Sequence, residues 1–189
     1  MKVGSADGEN KQASDGEPQG LSPKPGLVQT EEAYDIRIAR DGTWYHEGAP
    51  IRRIELAKLF ATVLRRDEAG DYWLITPAER GRIAVEDAPF LAVEMTVQGQ
   101  GKDQVLSFRT NLDEWVDAGP DHPIRVVHNP ETGEPTPYID VRDGLEARIQ
   151  RSVFYEMVDL AEPAGQDGQV EVGVWSRKVF FVLGRLPGD

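Results

Sequence analysis

The amino-acid sequence predicts an α+β protein made of two similar halves, each an antiparallel β unit with one helix. Three observations support this prediction. Short segments that alternate between apolar and polar residues are separated by turn sequences, which is typical of antiparallel strands. One segment instead repeats its apolar residues with the period of an α-helix. A similar order of segments then recurs in the second part of the chain.

The composition is that of a folded protein with a polar N-terminal extension. The 189 residues are 39% hydrophobic and 29% charged and include no cysteine, which excludes disulfide bonds and cysteine-bound zinc. The net charge of −12 disfavours binding to nucleic acid, although a local basic patch is compatible with it. Because no segment resembles a signal peptide or a membrane span, we expect a cytoplasmic protein.

Residues 1–33 are predicted to form a disordered acidic arm. They include no aromatic residue, and glycine, proline and polar residues separate their few apolar side chains. Such a segment buries too little apolar surface to offset the entropy that its backbone loses on folding. We therefore place the first α+β repeat at residues 34–118 and the second at residues 119–189.

The first repeat is predicted to begin with a hairpin and a helix. Residues 36–40 alternate in polarity, Asp41-Gly42 is a strong turn signal, and residues 43–46 form the returning strand. The following segment has apolar residues at helical spacing. The core face of this helix is predicted to carry Leu56, Leu59, Phe60, Val63 and Leu64.

Antiparallel strands are predicted to complete the first repeat. Strands are expected at residues 72–75 and 83–85, and residues 91–97 should pair with residues 105–110 as a hairpin. The sequence Ala118-Gly119-Pro120 then marks the predicted boundary between the repeats.

The second repeat is predicted from the order and spacing of its segments. Residues 124–126 resemble residues 36–38, and a second helix is expected at residues 144–151, with Asp143 as its N-cap. A strand at residues 153–158 and a closing hairpin at residues 170–183 follow. The alternative is that two α+β halves resemble each other by chance.

The sequence contains no pattern typical of a catalytic or metal site. The histidines His46, His122 and His128 lack the spacing of metal ligands. No serine lies in a nucleophile-elbow sequence, and no glycine-rich phosphate loop is present. We therefore predict no catalytic residue, no metal and no cofactor.

Five short segments carry a resemblance to a known family. They are Thr43-Trp44, Gly48-Ala49-Pro50-Ile51, Tyr72-Trp73-Leu74-Ile75-Thr76-Pro77, Val85-Glu86-Asp87-Ala88-Pro89-Phe90 and Phe108-Arg109-Thr110-Asn111. These segments resemble the bacterial family of domain of unknown function 1285, from residue 34 to the C-terminus. The resemblance implies a two-part fold with a repeated motif, a C-terminal half similar to pleckstrin-homology-like barrels, and a ligand or protein site where the halves meet. It also implies a signalling role and assigns no catalytic residue.

These observations together predict a non-enzymatic binding module for a protein or peptide, used in bacterial signal transduction. The family segments concentrate in turns and strand ends, where binding residues are common. A partly exposed tryptophan beside polar residues would form a binding hot spot. The candidate groove residues are Trp44, Arg52, Thr76, Glu86, Asp87, Arg109, Asn111 and Trp115.

Two alternative functions are compatible with the sequence. Nucleic acid could bind a local patch, and this binding would fall steeply with salt. The patch would comprise Arg52, Arg53, Arg65, Arg66 and Arg125. An enzyme could use Glu86 or Asp87 in a closed pocket, but adjacent carboxylates in an extended segment point in opposite directions. Pairing with a nearby arginine, such as Arg80, Arg82 or Arg109, explains them more simply.

Overall fold

The protein, described here by a computed structural model over residues 30–164 and 170–186, is mostly β-structure with two α-helices. The first sheet contains β1 (Thr30–Ile38), β2 (Trp44–His46), β3 (Ala49–Pro50), β4 (Leu64–Arg66), β5 (Tyr72–Ile75) and β6 (Glu79–Val85). Helix α1 (Ile54–Val63) connects β3 to β4. The strand order is β3-β2-β1-β6-β5-β4, and only the neighbours β1 and β6 run parallel.

A second six-stranded sheet follows directly in the chain. It contains β7 (Phe90–Gln98), β8 (Val105–Thr110), β9 (Trp115–Asp117), β10 (Ile124–His128), β11 (Pro135–Arg142) and β12 (Leu145–Ile149). Helix α2 (Arg151–Val158) comes next, and a third sheet is formed by β13 (Glu162–Ala164), β14 (Val170–Ser176) and β15 (Val179–Leu186). The strand order of the second sheet is β10-β11-β12-β7-β8-β9.

The two six-stranded sheets have the same topology. Each consists of two three-stranded antiparallel meanders, and the first strand of one meander runs parallel to the last strand of the other. The prediction of two similar halves is therefore confirmed, with β1–β6 corresponding to β7–β12. The prediction that each half is a purely antiparallel unit with one helix is wrong, because each sheet contains one parallel pair and only the first has an α-helix between its strands. The predicted correspondence of residues 36–38 with residues 124–126 is wrong, because the former lie in a central strand and the latter in an edge strand.

The change from the first sheet to the second occurs at residues 86–89, between β6 and β7. The boundary expected between residues 118 and 119 falls between β9 and β10, which belong to the same sheet. The parallel pairing of β7 with β12 joins the segments on both sides of that position, for example through Ala147 and Phe90. This long-range pairing leaves no local signal in the sequence.

The predicted arm and the predicted hairpins can be compared with the observed strands. Residues 1–29 of the arm lie outside the described residues, whereas residues 30–33 pair with β6 as the start of β1. The hairpin at residues 36–46 is confirmed, and Gly42 at its turn has φ of +80°. The hairpins at residues 91–110 and 170–183 are also confirmed.

The second helix begins later than predicted. Residues 145–149 form β12, in which Leu145, Ala147 and Ile149 are buried with the period of a strand. Asp143 and Gly144 have positive φ and make the turn from β11, so the predicted N-cap at Asp143 is wrong. The predicted strand at residues 153–158 lies instead in α2.

Helix α1 is confirmed, but its buried face differs from the prediction. Ala57, Ala61 and the following Leu64 are buried against the sheet, whereas Leu59 is 60% exposed. The small alanine side chains allow the helix backbone to approach the strands closely, which turns the larger residues outward. Leu56 is also exposed, and Phe60 packs at the margin of the core.

One hydrophobic core extends through all three sheets. Trp44 of the first sheet, Phe90 and Phe108 of the second, and Val174 of the third are all almost completely buried. The halves therefore share their interior, and the junction between them is fixed by packing. Neither helix within the described residues has the length and hydropathy that crossing a membrane would require.

Candidate binding site at the junction of the two sheets

The connection from β6 to β7 carries two carboxylates to the place where the sheets meet. The backbone N–H of Glu86 donates to the carbonyl of Ile38, 3.0 Å away, which extends the pairing with β1 by one residue. Ala88 and Pro89 are buried. Asp87 thus lies between the exposed Glu86 and the buried Ala88-Pro89, and its carboxylate faces the second sheet.

Asp87 is the centre of a cluster that joins the two halves. The Tyr138 hydroxyl of β11 donates to Asp87 Oδ1 at 2.8 Å, and Arg148 Nη1 of β12 lies 3.4 Å from Asp87 Oδ2. Arg40 Nε, from the first half, lies 4.0 Å from the same oxygen. The Asp87 side chain is 14% exposed, whereas that of Arg40 is 69% exposed. Two guanidinium groups therefore share one carboxylate, which leaves a positive charge in excess.

The neighbouring charges are paired one to one. Glu86 accepts a hydrogen bond from the backbone N–H of Arg40 at 2.9 Å and another from the Arg37 guanidinium. The backbone hydrogen bond lowers the pKa of Glu86 most, and the bond from Arg37 lowers it further. This carboxylate therefore stays ionised. In the second sheet, Arg125 donates from Nε and Nη2 to the two carboxylate oxygens of Glu146, with Nη2 2.6 Å from Oε2. The excess positive charge is consequently confined to the Asp87 cluster.

The Tyr138 hydroxyl remains protonated under all ordinary conditions. Burial of its ring, followed by the hydrogen bond to Asp87, raises the pKa of Tyr138 to about 12. The Arg125 guanidinium lies 4.3 Å from the centre of the Tyr138 ring and covers one of its faces. Tyr138 is therefore a fixed donor that orients Asp87, and it is not a proton carrier near neutral pH.

Replacing Tyr138 by phenylalanine is expected to change how stability depends on pH. In the wild type the folded state holds the phenol proton up to about pH 12, whereas the unfolded chain releases it near pH 10.0. The stabilisation is complete below pH 10.0 and is lost as the pH rises towards 12. Urea unfolding of both proteins should show their stability difference shrinking across this interval. A difference in the free energy of unfolding that stays constant across this interval would show that folding does not hold Tyr138 protonated.

A groove runs from the Asp87 cluster to helix α2. A cavity of about 240 Å³ lies over the cluster and is lined by Arg40, Asp87, Tyr138 and Arg148, among others. A second cavity of about 330 Å³ shares Arg148 and extends to Tyr155 on α2. We call these two adjoining cavities the junction groove. Its charged side chains are Arg40, Asp87, Glu134, Arg148 and Arg151, together with His128.

The structure brings together three of the eight candidate residues at the junction. Glu86 and Asp87 lie there as described, and Asn111 links the sheets through its amide group. Asn111 Oδ1 accepts from the backbone N–H of Leu91 at 2.9 Å, and Nδ2 donates to the carbonyl of Gly42 at 3.3 Å. The role of Asn111 is structural, because both polar ends of its side chain are occupied.

The other five candidates lie elsewhere. Trp44 is 1% exposed and stacks on Phe60, with ring centres 6.1 Å apart, so it belongs to the core. Arg109 binds Glu94 and Asp113, and it lies opposite the exposed Trp115 in the pairing of β8 with β9. Arg52 is exposed before α1, and Thr76 bonds to Glu79 in the turn between β5 and β6.

The sequence reasoning missed Arg40, Tyr138 and Arg148. Arg40 lies in a predicted hairpin strand with no site role, and Tyr138 lies in no predicted element. The helix predicted at residues 144–151 places Arg148 in the wrong element, because this residue lies in strand β12. The period-two alternation of residues 145–149 was the signal that could have placed Glu146 and Arg148 together on one face of a strand.

The arginines of the proposed nucleic-acid patch do not form one surface. Arg52 and Arg53 precede α1, whereas Arg65 and Arg66 follow it, at the opposite end of a ten-residue helix. Arg125 lies in the other sheet, where Glu146 neutralises it. Within residues 30–164 and 170–186, no group of three or more potential ligand residues could hold a metal ion.

Comparisons with known proteins agree with the sequence resemblance. Residues 28–88 match the model of "Domain of unknown function (DUF1285), N-terminal domain", and residues 89–183 match that of "Protein of unknown function (DUF1285), C-terminal domain". These two matches meet where the first sheet ends. No curated protein matches the chain.

Two solved structures resemble the chain over most of their own length. A DUF1285 family protein from Silicibacter pomeroyi is 44% identical, with a TM-score of 0.74, and the match covers 87% of this chain and 89% of that one. A DUF1285 family protein from Shewanella baltica is 27% identical, with a TM-score of 0.54, and the match covers 67% of this chain and 91% of that one.

Proposed function

This chain belongs to the DUF1285 family, and we propose that it is a non-enzymatic binding module that holds an acidic segment of a partner protein in the junction groove. The observation that carries this proposal is the sharing of Asp87 by Arg40 and Arg148. A carboxylate from a partner would complete the charge pairing of these arginines. Arginine is well suited to this contact, because its planar donors match a carboxylate.

The shape of the groove favours an extended segment over a small enclosed ligand. The groove continues from Arg148 along the start of α2 to Tyr155, whose ring is exposed. An acidic side chain near Arg40 and an apolar side chain against Tyr155 would use both ends of this surface. An exposed aromatic ring of this kind commonly anchors a peptide.

The wider setting of this activity is proposed from the family resemblance. We place the module in bacterial signal transduction and in the cytoplasm. We also propose that the second half corresponds to the pleckstrin-homology-like barrel that the resemblance implies. The repeated six-stranded topology and the packing of the third sheet on the same core support a barrel-like second half.

Fluorescence anisotropy with a labelled oligoglutamate peptide tests the proposed function. We expect the wild type to bind this peptide more tightly than an uncharged oligoglutamine peptide of the same length, because only the former offers carboxylates to the two arginines. Arg148→Ala should weaken binding on the order of tenfold or more, because it removes a charge-assisted contact. Added salt should also weaken binding, since the contacts are ionic.

Arg109→Ala is the matched control for this experiment. Arg109 is also paired with carboxylates, but it lies outside the junction groove. Its replacement should leave the peptide affinity unchanged. Equal affinity of wild type and Arg148→Ala, or no binding at peptide concentrations of about 1 mM, would refute the proposal. Urea unfolding of each variant confirms that it is folded.

A further inference from the structure

We propose a second binding surface, separate from the junction groove, on helix α1, against which an amphipathic helix of a partner protein packs. Its centre is a row of apolar side chains that we call the α1 stripe, formed by Leu56, Leu59, Phe60 and Val63. The partner helix would place apolar side chains on this stripe and carboxylates near the arginines at both ends of α1. Packing of one helix on apolar residues at helical spacing is a common mode of recognition.

The α1 stripe has the residue spacing of a buried helix face, yet the fold leaves part of it in solvent. The spacing i, i+3, i+4 and i+7 normally marks the side of a helix that packs against a core. In this protein Ala57 and Ala61 pack there instead, and Leu56 is 38% and Leu59 60% exposed. The other two side chains of the stripe are only partly buried, at the margin of the core. A partner that covers the stripe would remove this apolar surface from water.

The α1 stripe lies on the flank of α1 that faces away from the second sheet. Lys58 marks the opposite flank, because its Nζ lies 2.7 Å from Asp113 Oδ2 in the turn between β8 and β9. With 3.6 residues in each turn, Leu56, Phe60 and Val63 project roughly 140–160° around the helix from Lys58. The stripe shares no residue with the two cavities of the junction groove. It is therefore a separate surface.

Arginines at both ends of α1 indicate the charge of the partner. Arg52 and Arg53 precede the helix and are exposed, and neither has a carboxylate partner among the described residues. At the other end, Arg65 donates through Nη1 to two backbone carbonyl oxygens, at 2.6 and 3.0 Å, which leaves Nε and Nη2 for a ligand. The exposed carboxylates near these three arginines are those of Glu55 and Glu68. The ends of α1 therefore carry excess positive charge, which favours an acidic partner.

The same charges distinguish between possible occupants of the α1 stripe. If the α1 helices of two copies packed together, in either direction, arginines of one copy would lie against arginines of the other. An anionic membrane carries the same sign of charge as the protein, whose net charge is −12. A partner helix with glutamates near both ends avoids both sources of repulsion. Because α1 has ten residues and is about 15 Å long, roughly two to three turns of this partner would cover the stripe.

NMR titration of the full-length, ¹⁵N-labelled protein with two alanine-based helical peptides tests the proposal. Both peptides carry leucines at i, i+3, i+4 and i+7, and they end in glutamates in one case and in glutamines in the other. We expect shifts centred on α1, with the glutamate peptide binding on the order of tenfold more tightly because it pairs with the arginines. A glutamate peptide of the same composition with its leucine spacing scrambled should not shift α1. Equal binding of the ordered and scrambled peptides would overturn the proposal.

Leu59→Gln removes the most exposed side chain of the α1 stripe while keeping a good helix former, and it should weaken the glutamate peptide on the order of tenfold. Val158→Gln is its matched control, because Val158 is also an exposed helical residue but lies on α2. The double variant Arg52→Gln/Arg53→Gln should weaken the glutamate peptide and leave the glutamine peptide unchanged, a selectivity that a folding defect would not produce. Unchanged binding in Leu59→Gln, or equal losses for both peptides in the double variant, would overturn the proposal.

Three further measurements separate the α1 stripe from other possibilities. Arg148→Ala should leave binding of the helical glutamate peptide intact, so failure of the junction groove and failure of the stripe are distinguishable. Sedimentation without peptide should give the same molecular mass for wild type and Leu59→Gln, and neither should bind phosphatidylglycerol vesicles. A wild-type dimer that Leu59→Gln converts to a monomer would assign the stripe to a second copy and overturn the proposal. Vesicle binding that Leu59→Gln abolishes would assign it to lipid and overturn the proposal as well.

Discussion

Replacing Trp44 by alanine is expected to lower the free energy of unfolding by about 3–5 kcal/mol, the usual cost of truncating a fully buried aromatic side chain. Trp44 is 1% exposed and packs against Phe60 of α1, so its removal leaves a cavity between the helix and the sheet. Urea unfolding monitored by circular dichroism measures this loss. Oligoglutamate binding by the fraction that remains folded should be unchanged.

Trp115→Ala is the matched control for Trp44→Ala. Trp115 is 48% exposed on the edge strand β9, and its truncation should change stability by only about 0.5 kcal/mol. Similar losses for both tryptophans would contradict the assignment of Trp44 to the core. A selective loss of peptide binding in Trp115→Ala would instead support a binding hot spot on that edge.

Replacing Asp87 by alanine is expected to cost about 1–3 kcal/mol of stability, because it leaves partly buried partners without their acceptor. The Tyr138 hydroxyl and the Arg148 guanidinium both depend on this carboxylate. Urea unfolding again provides the measurement. Asp103→Ala is the control, since Asp103 is 81% exposed and its contact with Lys178 spans 3.8 Å. Equal effects of the two replacements would contradict a central role for Asp87.

Asp87→Asn separates stability from binding. The amide retains an oxygen that can accept from Tyr138, but it no longer neutralises Arg40 and Arg148. Stability should therefore fall, whereas oligoglutamate affinity should rise, because the positive charge in the groove increases. Anisotropy and urea unfolding on the same sample measure both quantities. A parallel loss of stability and affinity would indicate that Asp87 contacts the ligand or shapes the groove.

The elements that were predicted correctly are those with local signals. The Asp41-Gly42 turn fixes its hairpin within a few residues, and the same holds for the turn at residues 176–178 before β15. The segment after Asp143 was ambiguous, because Asp143-Gly144 followed by Glu146 fits both a helix cap and a turn between strands. In the structure, Leu145, Ala147 and Ile149 are buried with the period of a strand, and the segment forms β12.

The repeated topology could be predicted only in outline. Its defining feature in each half is a parallel pair, β1 with β6 and β7 with β12, formed by strands far apart in the chain. Such pairing is determined by packing of the whole sheet and not by neighbouring residues. The resemblance between residues 36–38 and 124–126 therefore reflects similar strand composition and not equivalent positions.

The sequence predicted only part of the candidate site, because several of its contacts join residues that are far apart in the chain. Asp87 could be selected from the sequence, because it lies in the distinctive segment Val85-Glu86-Asp87-Ala88-Pro89-Phe90. The contact of Arg148 with the carbonyl of Arg40, at 3.2 Å, joins residues 108 positions apart and could not be seen before the fold was known. Trp44 was selected for its type and neighbours, but burial decides whether a tryptophan binds a partner or fills a core.

Chemical-shift mapping of the ¹⁵N-labelled protein with oligoglutamate locates the binding surface directly. If the junction of the two sheets binds acidic segments, the largest shifts will fall on Arg40, Asp87, Tyr138 and Arg148. Shifts confined to the exposed edge around Trp115, or to the arginines that flank α1, would contradict that location, as would a spectrum that the peptide leaves unchanged.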